Sequence, residues 1–409
     1  MVTSLVLPTS QLGRPAAQSA HSTAEGPFLR LHHSSSAVFG QDPKLKLIAS
    51  TEKAVGGGGI SLFHEAGVWV GDASGKGDVY ITSNMLETKD DALHIKICRL
   101  RLGEEFDAGA EATLRPSAND AGVFVSEEVE YEDLDQLAQL VPMANGATAS
   151  VDGKDILWCS QGQALRLPLS KEPVAGSLML CREVNGHFLA TPLVNNFRGR
   201  EFNALNDVCC HAPTGAIFFT DPDYGLAQGF KGPSQLPNGV WRLMPETGVL
   251  SLVADDLKKP NGIVCSPDGK TCYITDTDFI YGDGSMDPTR AGTIYAFDIV
   301  GTEAPQLHNK RVFALVDCGA PDGIKVDTEG NVYTGTFEGV DIYAPSGILL
   351  GKILLRDSSG QQGGCANLVF GPAGVLFLLS ETSVWAAKIE AIGALKGVRM
   401  GSSPRRAGL

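Results

Sequence analysis

The sequence predicts an all-β fold, a six-bladed β-propeller, on three observations. One phrase recurs six times: a polar residue, an apolar patch, a turn built from Pro, Asp, Thr or Gly, then a β-branched or aromatic run. Most copies stand roughly 45 to 60 residues apart, which leaves room for a hairpin plus two more short strands, the content of one propeller blade. With 48 glycines and 22 prolines the chain favours frequent turns over long helices. A β-sandwich would not repeat the same polar leader at the same phase.

Residues 1–45 are rich in Ser, Ala, His and Pro with little periodicity and are expected to form a loosely ordered extension. The propeller is expected over 46–391. Its first hairpin is EAGVWVGDASGKGDVYITS from Glu65. The longest gap follows and holds an insertion around GEEFDAGAEATLRPSAND, expected, with the segment from Tyr224 to Leu236, to shape the pocket mouth. The next copies are NGATASVDGKDILWCS from Asn145, NDVCCHAPTGAIFFTD from Asn206, NGIVCSPDGKTCYITD from Asn261 and DGIKVDTEGNVYTGT from Asp322. A weaker one, NLVFGPAGVLFLLSE, starts at Asn367. Runs such as GVWRLMPETGVLSLVA and GTIYAFDIV between the phrases suit the outer half of a blade. Residues 392–409 turn polar and basic and read as a tail.

Composition narrows the function. The formal charge of −14 disfavours phosphate backbones and anionic lipid, so neither nucleic acid nor membrane is an expected partner; a small molecule is, handled by a monomer or dimer. No run of about 18 apolar residues is present, and MVTSLVLPTSQLGRPAAQ lacks the cationic lead of a signal peptide. The nine cysteines show no CxxC pair or zinc spacing and read as buried reduced thiols of a cytoplasmic protein.

The innermost strand of each blade runs along the central channel, so residues at one phase of the repeat meet at one height around it. The six leaders are Glu65, Asn145, Asn206, Asn261, Asp322 and Asn367, and all carry side-chain oxygen. Converging oxygens, two of them carboxylates, are what a hard divalent cation needs. Calcium is the best match, with zinc, manganese or magnesium as other candidates; zinc is disfavoured because no His or Cys holds the leader phase. Asn-Gly and Asp-Gly also form turns, which accounts for one or two leaders but not for Glu65. The expected ligands are Glu65, Asn206, Asn261 and Asp322, with Asn145 and Asn367 lining the substrate pocket.

At these residues the sequence resembles the gluconolactonase family, also called senescence-marker-protein or regucalcin-like proteins. The resemblance runs from about Ile60 to Lys388 and is strongest over FNALNDVCCHAPTGAIFFTDPDYG, PNGIVCSPDGKTCYITDTD and PDGIKVDTEGNVYTG. It implies a six-bladed propeller with one divalent metal, held by Glu65, Asn206, Asn261 and Asp322, and assigns proton transfer to Asp322. Relatives often read Arg-Xaa-Asn-Ser-Pro-Asn-Asp; here Arg200 is displaced by one position and Leu205 replaces the proline.

The chemistry expected is metal-assisted opening of a lactone or related ester, the cation polarising the carbonyl. Asp322 is the expected general base and Asp207 the reserve; Arg200 is a candidate contact for an anionic substrate. No Gly-Xaa-Ser-Xaa-Gly elbow is present, and His64 and His211 read as structural. Two rival classes share the scaffold: a biosynthetic isomerase, cyclase or synthase, and a non-catalytic calcium-binding propeller.

Overall fold

Side chains alternate across each inner strand toward the two neighbouring blades, and this period of two builds the ring. In the computed structural model, Val208 and Cys210 pack with Leu157 and Cys159 on one side, while Cys209 packs with Ile263 and Cys265 on the other. The structure describes residues 13–394 apart from 22–23, 53–58, 72–75, 88–92, 121, 151–154, 164–172, 358 and 373.

Six antiparallel four-stranded units are arranged in chain order. Blade 1 is Glu65–Gly71, Gly77–Thr82, Ile97–Leu102 and Val129–Asp133. Blade 2 is Ala144–Ala149, Ile156–Ser160, Ser177–Val184 and His187–Val194. Blade 3 is Val208–His211, Ala216–Asp221, Gly239–Met244 and Val249–Ala254. Blade 4 is Pro260–Cys265, Thr271–Asp276, Thr293–Val300 and Gln306–Leu315. Blade 5 is Ile324–Val326, Val332–Thr336, Gly339–Tyr343 and Leu349–Arg356. Blade 6 is Asn367–Phe370, Val375–Ser380 and Ser383–Lys388, and its outermost strand comes from the other end of the chain, Lys44–Ser50. That strand pairs from Lys44↔Lys388 to Ser50↔Ser383 and so closes the ring.

The amino-terminal segment departs from its expected looseness. Phe28–Arg30 adds a fifth strand to blade 5 against Gly351–Ile353. The helix Ser35–Phe39 then buries Val38 and Phe39 in the core shared by blades 5 and 6. Residues 1–12 and the tail from 395 lie outside the described residues.

The insertion also lies elsewhere than expected. Its strands Arg115–Pro116 and Phe124–Val125 extend the blade 6 sheet beyond Lys44–Ser50. Phe106 packs on Phe377, and Asp107 reaches Lys388, at the blade ends opposite the leaders. It therefore braces blades 1 and 6 instead of shaping the mouth. The segment from Tyr224 does stand on the leader side, following the second strand of blade 3 with the short helix Tyr224–Ala227.

Candidate metal centre on the channel axis

Each leader stands at the start of an inner strand, and three have their backbone fixed from the blade before. The threonine near the end of a second strand donates its hydroxyl to the next leader's carbonyl: Thr82 to Asn145 (3.3 Å), Thr220 to Asn261 (2.7 Å) and Thr275 to Asp322 (2.8 Å). Register shifts fall between Ala66 and Val68, Ala144 and Ala147, and Pro260 and Ile263, so Asn145 and Asn261 sit within bulges that re-aim a side chain and Glu65 just precedes one. The glycine after a leader serves close approach. A Cβ on Gly146 would stand 2.5 Å from the Asn206 carbonyl oxygen, and one on Gly262 2.5 Å from that of Asp322. The Asn-Gly and Asp-Gly steps are thus packing requirements at a crowded axis and not turns.

Glu65, Asn206 and Asn261 are only 3%, 4% and 6% exposed, and Asp322 is half-buried. The Oδ1 atoms of Asn145, Asn206 and Asp322 are shielded from solvent, and none has a hydrogen-bond partner among the described residues. Orphaned buried oxygens cost about 1–3 kcal/mol each unless something satisfies them. Burial and the charge of Asp322 push Glu65 up to about 8, against the lowering by His64. Burial pushes Asp322 up to about 6, with the His64 cation opposing. The Asn261 carboxamide lowers both Asp322 and Tyr224 against the effect of burial.

This donor set fits a hard cation. It is built of oxygen alone, includes two carboxylates that repel one another, and leaves two of its oxygens, Asn206 Oδ1 and Asp322 Oδ1, unsatisfied. The charges agree as well. Glu65, Asp322 and Asp207 set against Lys325 leave two negative charges, the number a divalent ion neutralises. His64 and Glu381, 2.6 Å apart, cancel each other; burial alone would lower His64, but Glu381 overrides it and holds the imidazole at about 10.

The other expected site residues are placed differently. Asn367 is fully buried: its Nδ2 donates to Glu65 Oε2 at 2.6 Å, and its Oδ1 accepts from Lys325 Nζ at 3.2 Å and from the Leu368 N–H at 2.8 Å. It is spent on orienting Glu65. Both oxygens of Asp207 are spent on backbone N–H groups, of Val208 at 2.8 Å and of Ile263 at 3.1 Å, which makes it a pin between blades 3 and 4 and a poor reserve base. Arg200 stands exposed on the hairpin Asn196–Phe197 with Arg200–Glu201, its guanidinium against the Phe197 ring, and among the described residues no contact ties it to the axis. His211 is held by Thr214 and the Gly269 carbonyl.

Two residues escaped sequence reasoning. Lys325 lies three positions after a leader on an inner strand, where a lone lysine reads as solvent-facing. Asn203 has a buried Oδ1 without a partner among the described residues, while its backbone N–H donates to Asp221 at 3.0 Å. The motif Asn203-Ala204-Leu205-Asn206 carried that signal, since its first asparagine is as much part of the phrase as its last.

A second group, His21, Asp317 and Glu338, brings metal-binding atoms together. The Lys352 ammonium already fills its centre, at 2.6 Å from Asp317 and 2.8 Å from both Glu338 and Asp341. Its cation is a side chain.

Residues 126–375 match the family described as the SMP-30/Gluconolactonase/LRE-like region. The chain is 30% identical over 297 residues to a gluconolactonase of Zymomonas mobilis, covering 70% of this chain and 71% of that one. Its fold resembles that of a gluconolactonase from Xanthomonas campestris, with a TM-score of 0.57 at 22% identity, over 89% of this chain and 94% of the other. It also resembles a calcium-binding protein, regucalcin, from Agrobacterium tumefaciens, with a TM-score of 0.53 at 16% identity, over 87% and 98% of the two chains.

Proposed function

Because the chain belongs to the SMP-30/gluconolactonase/LRE-like family, we propose that it is a metal-dependent hydrolase that opens a lactone or related ester. The observation that carries this reading is the pair of mutually repelling carboxylates, Glu65 and Asp322, together with the unsatisfied oxygens Asn206 Oδ1 and Asp322 Oδ1.

Glu65, Asn206, Asn261 and Asp322 are the residues that would hold the ion, calcium by the all-oxygen donor set. The Agrobacterium relative is named as calcium-binding, in agreement with that choice. A divalent cation bound there supplies Lewis-acid polarisation of the substrate carbonyl. Asp322 is the half-buried member of the set, and its Oδ1 has no hydrogen-bond partner among the described residues. Burial raises its carboxyl in the metal-free protein, and Asp322 is the proposed acceptor of the proton from attacking water. Asn367 and Lys325 keep Glu65 aimed at the centre. Among the described residues no helix is long and apolar enough to cross a membrane. All nine cysteines are buried thiols with no disulfide among them, which supports a reducing compartment such as the cytoplasm.

The test is hydrolysis of an aldonolactone panel before and after chelation, with calcium, zinc or manganese restored. Lactone opening lost on chelation and regained with calcium is the expected result. Turnover indifferent to chelation would refute metal dependence, and no turnover of any lactone or ester would refute the hydrolase.

A further inference from the structure

Below the leaders the channel widens into a cavity of about 500 Å³, whose outer wall includes the exposed turn residues Pro213 and Pro267. Cys209 and Cys265 line it from neighbouring blades, 2% and 5% exposed, with their sulfur atoms 3.7 Å apart. A space of this size admits a small peroxide and no reductant protein. We propose that Cys209 and Cys265 form an oxidisable dithiol site, which peroxide converts into a disulfide stapling blades 3 and 4 beneath the axial residues.

The two sulfurs are unequal. Cys272 faces Cys265 across the hairpin of blade 4. The Cys209 and Cys265 sulfurs share a hydrogen bond in which either can donate. Cys265, the more exposed of the two at 5% against 2%, is assigned as the attacking thiolate and Cys209 as the resolving thiol. The Cys265 thiolate attacks one peroxide oxygen and the O–O bond breaks, giving a sulfenic acid and hydroxide, which takes up the proton Cys265 had released and leaves as water. The Cys209 sulfur then attacks the sulfenic sulfur; the S–S bond forms, the S–O bond breaks, and the Cys209 proton leaves with the departing hydroxyl as a second water. Two thiols are oxidised to one disulfide and one hydrogen peroxide is reduced to two waters. The sulfurs need to close from 3.7 Å to about 2 Å.

The staple has a consequence that rests on the metal reading. Asn206 and Asn261 head the same two inner strands, so drawing those strands together displaces two of the four proposed ligands. Positional errors of this kind weaken metal binding by about 10-fold or more.

The experiment treats the full-length reduced protein with hydrogen peroxide, blocks remaining thiols, and maps cross-linked peptides by mass spectrometry. A Cys209–Cys265 link is expected, retained in Cys210→Ser and lost in Cys265→Ser, with Cys209→Ser as a second variant should either fail to fold. No such link, or a link that needs Cys210, would overturn the proposal. Calcium titrations of the reduced and cross-linked forms follow, with at least about 10-fold weaker binding expected after cross-linking; equal affinities would overturn the coupling. Failure of the reduced protein to bind calcium would refute the metal reading, and the peptide map would still decide the dithiol by itself.

Discussion

Glu65 shows how one side chain ties folding to chemistry. Its carboxyl is pushed up to about 8 in the folded protein, far above the ordinary value that applies once the chain unfolds. The metal-free fold is therefore most favoured where Glu65 is protonated in both states. That advantage is lost progressively as pH rises from the ordinary carboxylate range through about 8, because the unfolded chain releases the proton first. Metal binding needs the carboxylate, so it should release protons at neutral pH. The rise in Tm on adding calcium should thus be larger at pH 8 than at pH 5, measured by thermal unfolding with and without chelator; an equal rise at both would exclude Glu65 as a ligand. Asp322→Asn and Glu65→Gln should each lower kcat/KM by at least about 100-fold, the order expected for losing an electrostatic contributor, and should abolish calcium binding in a titration. Asn367→Ala acts one step removed: without its 2.6 Å hydrogen bond to Glu65, calcium affinity should fall about 10- to 100-fold. Unchanged affinity would show that Glu65 needs no such support.

Among elements, the hairpins were legible and the docked segments were not. Six phrases with a polar leader gave the blades, because strand alternation and turn chemistry are local signals. Phe28–Arg30 and Ser35–Phe39 are too short to show a period, and the burial of Val38 and Phe39 comes from blades 5 and 6, which no local window contains. Phe39→Ala should therefore cost about 3–5 kcal/mol, as for other core phenylalanines, seen as a lowered midpoint in urea; a cost below about 1 kcal/mol would mean that the segment does not dock. The proximity of Glu65 to Asp322 was legible for the same reason as the hairpins, since both residues lead a repeat. Lys325 was not. Its role depends on Asn367 and Asp207 arriving from other blades, and a single strand gives no sign of either.

At the scale of the whole molecule, closure by Lys44–Ser50 against Ser383–Lys388 turns six hairpin units into a ring, and only a closed ring makes the axis a site. Its buried charges, three carboxylates against one ammonium, describe a divalent cation as a missing partner. A crystal of the full-length protein soaked in manganese, a divalent ion with strong anomalous scattering, tests this most directly. One anomalous peak on the axis, bonded to oxygens of Glu65, Asn206, Asn261 and Asp322, is the predicted result. An axis without a peak, or a peak at His21, Asp317 and Glu338 in its place, would contradict it.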